Sequence, residues 1–340
     1  MESLLKERIE TVFGILFESM YRCMRVSHGS SLPELMEVMD ISLAKFLSQL
    51  GSLLSSLLNS SESKGESNDA FDIAPMLSWP PLAALINQMM SKFQTEALDT
   101  ITEKAKALIS LFDNQNDKQI KGPLALAYLR IAHTPGLEKR ISKISSQVNV
   151  DLSQAETEAA NLDRMIDSTI ESLLLQKIDS QLSEIVRVDL GSEAKKQGEV
   201  LKFSSYPLQY MISAGEQLML LPQLLESAWG GESLEYIPAD MVGNWIDRLS
   251  ISACERYMRH LEHLKKLSPS GAEQLGADVE YFANILSSLG QEVPETLSAW
   301  QAGLNADKSG LMVLLHNVEN KADAVRILKF IARLRNIDIP

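Results

Sequence analysis

The chain has 340 residues, a length that favours two domains and allows a sizeable buried core. Its 45% hydrophobic and 23% charged residues are typical of a globular protein and exclude a disordered or collagen-like chain. A formal charge of −13 argues against a general nucleic-acid-binding protein, because affinity for phosphate depends on Lys and Arg. Two cysteines cannot form a disulfide framework, so a reducing compartment is expected.

Apolar side chains recur every three or four residues through most of the chain, which indicates amphipathic helices. No stretch shows the sustained alternation that is typical of a strand. The predicted fold class is therefore all-α, with antiparallel helical bundles stacked into an elongated rod. Leu50 and Leu173 are each placed in the middle of the apolar stripe of a long helix. The predicted helices lie within residues 5–24, 32–58, 82–113, 151–188, 207–221, 239–267, 269–289 and 307–336.

Breaks in this pattern predict the domain organisation. Residues 60–72 are acidic and carry almost no apolar side chains, which predicts a mobile loop. We expect an N-terminal helical bundle over residues 1–148 and a C-terminal helical bundle over residues 149–340. The two long uncharged stretches, residues 46–61 and 73–91, are interrupted by polar residues or prolines, so no transmembrane segment is predicted.

Residues that could carry chemistry are few. The sequence has no nucleotide-binding, zinc-protease or nucleophile-elbow motif. His260 and His263 lie three residues apart, with Cys254 nearly two helical turns earlier. A zinc site could use these side chains, but several lysines and arginines crowd the segment, and solvated helix histidines are the preferred interpretation. We predict no catalytic, cofactor-binding or metal site, and no cofactor.

The last twenty residues are basic, in contrast to the acidic remainder. A basic terminal helix can contact an acidic partner helix or anionic lipid, which makes Arg326, Lys329, Arg333 and Arg335 candidate partner-facing or membrane-facing residues. The alternative is that these cations complement the C-terminal end of a helix dipole. The charged residues of the segment are Lys321, Arg326, Lys329, Arg333 and Arg335 against Asp323 and Asp338.

Two segments resemble a known family. Residues 203–226 contain Phe-Ser-Ser-Tyr-Pro followed by Gly-Glu-Gln-Leu-Met-Leu-Leu-Pro-Gln-Leu-Leu-Glu, and residues 267–275 read Leu-Ser-Pro-Ser-Gly-Ala-Glu-Gln-Leu. Both resemble segments of subunit seven of the conserved oligomeric Golgi complex. The likeness continues between and after these segments, and the residues that carry it are Pro207, Tyr210, Pro222, Glu226, Asn244, Trp245, Pro269, Gln274, Leu275, Asp278 and Tyr281.

The resemblance implies a non-catalytic subunit of a vesicle-tethering complex, peripheral to the Golgi membrane on its cytosolic face. It implies a role in retrograde transport within the Golgi, which retains glycosylation enzymes in their cisternae. The implied partners are sister subunits five, six and eight of the same complex and, in addition, the vesicle-fusion machinery. Because family members are longer, we expect this chain to correspond to a C-terminal part. The likeness fades after Trp300.

The motif residues themselves indicate architecture. Pro207 is expected to begin a helix that Pro222 ends or kinks. Core packing is the preferred role of Trp245, Tyr257 and Tyr281, with partner contact as the alternative. Two other functions stay open: a helical adaptor or a subunit of another tethering complex such as the exocyst, and a helical enzyme with an unrecognised site.

Overall fold

The computed structural model describes residues 2–27, 29, 31–62, 74–113, 131, 134–147, 150–191, 206–229, 240–318 and 320–338. Within these ranges the chain forms helices and no strand, which confirms the all-α prediction. The α-helices are α1 (Glu2–Val26), α2 (Leu32–Glu62), α3 (Ala74–Leu77), α4 (Trp79–Asp113), α5 (Leu137–Gln147), α6 (Ser153–Ser183), α7 (Gln209–Trp229), α8 (Met241–Leu261), α9 (Pro269–Ser288), α10 (Glu295–Asn305), α11 (Lys308–Asn317) and α12 (Ala322–Leu334).

The chain forms two compact units. Unit 1 comprises Met1–Ile170 with Gly231–Pro238, and unit 2 comprises Glu171–Gly230 with Ala239–Pro340. The division between them falls inside α6. The predicted domain boundary at residues 148 and 149 concerns independent folding and stays a prediction.

Helices α1 and α4 pack side by side in unit 1. Phe17 on α1 lies edge-on against Phe93 on α4, with ring centroids 5.1 Å apart. One helical turn further along, the Tyr21 hydroxyl donates a 3.0 Å hydrogen bond to Glu96. Contacts therefore advance in the same direction on both helices, so α1 and α4 run parallel.

Helix α6 packs against α4 and α2 in the same unit. Asn87 and Gln94 of α4 donate hydrogen bonds to Asp163 and Glu156 of α6, in an order that makes these two helices antiparallel. On α2, Gly51 contacts the Met165 side chain of α6. The four long helices thus form a bundle that buries one apolar face of each.

The buried stripes differ in detail from the predicted ones. Leu50 is buried as expected. On α6 the stripe passes through Ile170 and Leu174, so the prediction that Leu173 lies in its centre is wrong and this residue is half-buried. The reason is the drift of a heptad repeat on a helix: each heptad falls about 20° behind, so three heptads from Leu152 leave Leu173 about 60° off the stripe, and the steps of four after Ile166 correct this drift.

Helix α2 is unusually apolar. Its segment Leu32–Asn59 is long and apolar enough, by length and composition alone, to cross a membrane. Core helices of soluble proteins meet the same criterion, and Leu43, Leu47 and Leu54 of this helix are almost fully buried in the protein. The helix also continues through Glu62, three residues into the predicted loop, and the rest of that loop, residues 63–72, lies outside the described residues.

Helices α7, α8 and α9 form the first layer of unit 2. Trp229 and Trp245 are in contact near one end of the α7–α8 pair, and Tyr210 and Tyr257 meet near the other, so these helices are antiparallel. Helix α7 passes through Pro222 and continues to Trp229, so this proline does not end it. Helix α8 stops at Leu261, six residues before the predicted end.

The C-terminal helices differ most from the sequence prediction. One helix was predicted over residues 307–336, but the structure has two, α11 and α12. Helix α10 was not predicted at all. Its Gly303 lets α12 approach closely, since a Cβ at this position would lie 2.8 Å from side-chain carbons of Leu328 and Ile331. Trp300 of α10 and Phe330 of α12 pack edge-on in the same interface.

Candidate interaction site

Several of the motif residues meet at one buried carboxylate in unit 2. Asp278 on α9 is 0% exposed. Its Oδ1 accepts a 2.7 Å hydrogen bond from the Leu208 backbone N–H, and its Oδ2 accepts a 2.7 Å hydrogen bond from the Tyr210 hydroxyl. Gln274, one turn earlier on α9, donates to Oδ1 at 3.3 Å. We call Leu208, Tyr210, Gln274 and Asp278 the Asp278 network.

The Asp278 network fastens the start of α7 to α9. Gln274 Nε2 also donates a 2.9 Å hydrogen bond to the Tyr206 carbonyl, so side chains of α9 contact the backbone at two points just before α7. The Tyr210 hydroxyl lies 3.3 Å from the Tyr257 hydroxyl of α8. Three helices are therefore joined through one polar cluster.

Burial dominates the electrostatics of this cluster. Desolvation raises the pKa of Asp278 to about 6, against the hydrogen bonds from Leu208, Tyr210 and Gln274 that lower it. Desolvation also raises the pKa of Tyr210 and of Tyr257 well above the ordinary tyrosine range. Both hydroxyls therefore stay protonated at neutral pH and can donate. A carboxylate held in this way orients helices.

Other motif residues pack around this cluster or lie on the surface. Leu275 is buried, and Trp245 is buried with the Arg248 guanidinium 4.6 Å above its ring. Tyr281 is half-buried against Gly215, where a Cβ would lie 2.8 Å from the tyrosine ring. Pro207 and Pro222 are half-buried, whereas Glu226, Asn244 and Pro269 are exposed.

The start of α9 is fixed by a side-chain cap. The Ser268 hydroxyl accepts a 3.0 Å hydrogen bond from the Gly271 N–H, with Pro269 in the first turn. The Ser268 backbone N–H donates to the Leu190 carbonyl at 2.8 Å. A Cβ on Gly271 would overlap this same carbonyl oxygen, so only glycine fits here.

His260, His263 and Cys254 lie on α8 or directly after it. No group of three or more His, Cys, Asp and Glu side chains suited to a metal occurs among the described residues. His260 lies 2.9 Å from Asp179, which also pairs with Arg256 at 3.4 Å. His263 lies 2.7 Å from the Arg259 carbonyl. Burial raises the pKa of Cys254 to about 12, which keeps the thiol protonated and unreactive.

The basic residues of the terminal helix divide into two groups. Arg326, Lys329 and Arg333 are exposed on one face of α12. Arg335 is half-buried, and its guanidinium donates to the carbonyls of residues 303, 304 and 306 at the end of α10, at 3.0, 3.2 and 2.6 Å. Arg335 thus satisfies the last carbonyls of a neighbouring helix, and its partner-facing role stays a prediction.

Sequence reasoning named Tyr210, Gln274 and Asp278 but did not predict that they touch. It missed the backbone donor at Leu208 and the acceptor at Tyr206, because backbone groups carry no sequence signal. A polar residue on an otherwise apolar helix face, as at Asp278 between Leu275 and Phe282, was the available hint of a buried acceptor.

Comparison with known proteins decides the family. The model of the family Golgi complex component 7 (COG7) matches residues 3–335. The chain belongs to the COG7 family. The match extends over nearly the whole chain, including α12, where the residues alone showed no COG7 likeness.

Individual relatives agree with the COG7 assignment. The chain is 24% identical to conserved oligomeric Golgi complex subunit 7 of Arabidopsis thaliana, over 90% of this chain and 43% of the relative. It is 23% identical to the Drosophila melanogaster subunit 7, over 98% of this chain and 46% of the relative. The human subunit 7 is 26% identical over 37% of this chain and 18% of the relative. The chain spans less than half the length of the first two relatives, and no solved structure matches it.

Proposed function

We propose that this chain acts as a non-catalytic subunit of a Golgi vesicle-tethering complex in retrograde intra-Golgi transport, and so in the retention of glycosylation enzymes. The single observation that carries the proposal is the COG7 family match over residues 3–335. The relatives in plants, insects and mammals carry the name of a complex subunit, which supports assembly as the mode of action.

The structure supports a role in assembly. Its helices are fastened to one another by buried contacts such as Tyr210–Asp278, so their exposed faces are held in fixed positions. We propose sister subunits five, six and eight as the partners, with vesicle-fusion machinery as a further one. The chain would then sit on the cytosolic face of the Golgi as a peripheral component, with no transmembrane segment and no cofactor.

The test is recovery of the complex. The full chain, tagged and expressed in cells of its source organism, is affinity-purified and the bound proteins are identified by mass spectrometry. Subunits five, six and eight are expected at near-stoichiometric amounts. Recovery of exocyst subunits or of an unrelated set instead would favour the adaptor alternative and contradict the proposal.

The transport role has its own readout. Depletion of the endogenous protein is expected to mislocalise Golgi glycosyltransferases and to alter lectin binding at the cell surface. Re-expression of the wild-type protein should restore both, whereas Leu50→Asp, which disrupts the unit 1 core, should not. Normal glycosylation in depleted cells would contradict this role.

A further inference from the structure

The turn after α8 brings a segment that carries Lys265 and Lys266 alongside α12, which carries Arg326, Lys329 and Arg333. The Leu267 N–H donates a 2.8 Å hydrogen bond to the Leu334 carbonyl at the end of α12. Near the other end of this helix, Arg326 pairs with Glu262 at 3.1 Å. These two contacts place residues 262–267 alongside α12 over about 12 Å, the rise of eight helical residues.

The result is a composite basic surface in a chain whose formal charge is −13. All five of its cations are exposed; Glu262 lies among them, and a second exposed anion, Asp323, lies one turn before Arg326. No carboxylate of the described residues lies within ion-pair distance of Lys329 or Arg333, so their charge is not neutralised within the described part of the chain. The basic surface consists of Lys265, Lys266, Arg326, Lys329 and Arg333.

The helix dipole does not account for this surface. Its influence is confined to the last turn of a helix, and in α12 that turn contains Arg333. Arg326 lies two turns before the end, and Lys265 and Lys266 are not in α12 at all. A role other than complementing the helix dipole is therefore needed for most of these cations.

The side chains are arranged to receive carboxylates. The Glu262 carboxylate already forms an ion pair with the Arg326 guanidinium, which shows the geometry in which a carboxylate binds here. The Arg333 guanidinium lies 5.0 Å over the Phe330 ring, which restricts its rotamers. Residues 326, 329 and 333 follow the spacing i, i+3, i+7 and so form a straight row of charge on one helix face.

We propose that the basic surface docks an acidic helix of a sister subunit, with Asp or Glu side chains at matching helical spacing. This inference rests on the proposed function, since it supplies one of the contacts that the assembly requires. A membrane fits less well. The exposed positions of α12 are Ala322, Asp323, Arg326, Lys329 and Arg333, which offer no large apolar side chain for insertion beside the charges.

The decisive variant reverses three charges, Arg326→Glu, Lys329→Glu and Arg333→Glu. Its matched control, Lys139→Glu, Lys143→Glu and Lys177→Glu, makes the same change in net charge at exposed sites elsewhere. Two probes are used with the full chain: a synthetic helical peptide with Glu at positions i, i+3 and i+7, and vesicles of phosphatidylserine and phosphatidylcholine. Capture of subunits five, six and eight from cells is measured in parallel.

The wild-type chain is expected to bind the acidic peptide in a salt-sensitive manner. The triple reversal should weaken peptide binding and subunit capture by about tenfold or more, with an unchanged melting temperature, because exposed charges contribute little to stability. The control should behave as the wild type. Because the peptide assay uses no sister subunit, it separates failure of this inference from failure of the proposed function.

Three results would overturn the inference. The first is equal peptide binding by the triple reversal and the control. The second is unchanged subunit capture by the triple reversal when the wild type captures its subunits. The third is loss of vesicle binding alone, which would assign the basic surface to a lipid headgroup instead.

Discussion

The Tyr210 hydroxyl donates a 2.7 Å hydrogen bond to Oδ2 of Asp278, whose side chain is 0% exposed. This bond joins α7 to α9. Such a buried carboxylate is costly unless every oxygen is satisfied, because burial removes its hydration. Here a backbone N–H and two side chains take the place of water. The contact is thus a source of geometric specificity, and its energetics lead to two predictions.

Asp278 should make the stability of the protein depend on pH. Its pKa is raised from 3.8 to about 6 in the folded protein, so its contribution is greatest below about pH 4 and is lost as the pH rises through about 6. At neutral pH the loss amounts to about 3 kcal/mol. Asp278→Asn should remove this dependence, measured as the difference between variant and wild type in urea denaturation from pH 4 to 7. Parallel curves for the two proteins would contradict the assignment.

Tyr210→Phe keeps the ring and removes the donor. It should destabilise the protein by about 1.5–3 kcal/mol, the range for a hydrogen bond to a charged group, and should raise the pKa of Asp278 further. Chemical denaturation at pH 7 measures the first effect and carboxyl NMR titration the second. Tyr206→Phe is the control, since that side chain is 76% exposed and its backbone carbonyl, which binds Gln274, is retained.

Two glycines near helix starts should respond in opposite directions to alanine. Gly271→Ala forces a methyl group onto the Leu190 carbonyl and should cost about 2–3 kcal/mol. Gly243→Ala meets nothing within 4 Å on the exposed side of α8 and should stabilise by about 0.5–1 kcal/mol. The melting temperatures of the two variants are compared with that of the wild type. If both substitutions raised the melting temperature, the start of α9 would be looser than described.

Burial predicts unequal effects at neighbouring leucines. Leu50→Asp and Leu174→Asp each place a carboxylate in a core and should destabilise by about 3–5 kcal/mol. Leu173→Asp, at a half-buried site, should cost about 1 kcal/mol or less. Urea denaturation compares all three. If Leu173→Asp proved as damaging as Leu174→Asp, the buried face of α6 would be the one predicted from the sequence after all.

The sequence predicted those features that depend on local interactions. The start of α9 follows from Ser268 and Pro269, whose cap forms within one turn, and the start of α11 follows from Asp307, which accepts a 2.7 Å hydrogen bond from the Gly310 N–H. The long apolar stripes likewise report which faces are buried. Periodicity located these faces to within one residue on α2 and α6.

The remaining features depend on tertiary contacts. No glycine or proline separates α11 from α12, and the chain turns there while α12 packs on α10, next to the Lys321–Glu295 ion pair. Pro222 stays inside α7 because Leu218, Leu221 and Leu225 around it are buried, which offsets a cost of about 3 kcal/mol. The Asp278 network was unpredictable as a site, since its three donors come from distant parts of the chain and one of them is the backbone N–H of Leu208.

Asp40 of α2 accepts hydrogen bonds from the backbone N–H groups of Gln154 and Ala155, at 3.2 and 2.8 Å, and so satisfies the first turn of α6 from a position 114 residues upstream. A helix end completed by so distant a side chain cannot be stabilised until α2 has docked. Contacts between residues far apart in sequence slow folding, because the entropy of loop closure is lost before these contacts stabilise the chain. We therefore expect the first turn of α6 to form late, with Asp40→Ala accelerating unfolding while leaving the refolding rate nearly unchanged.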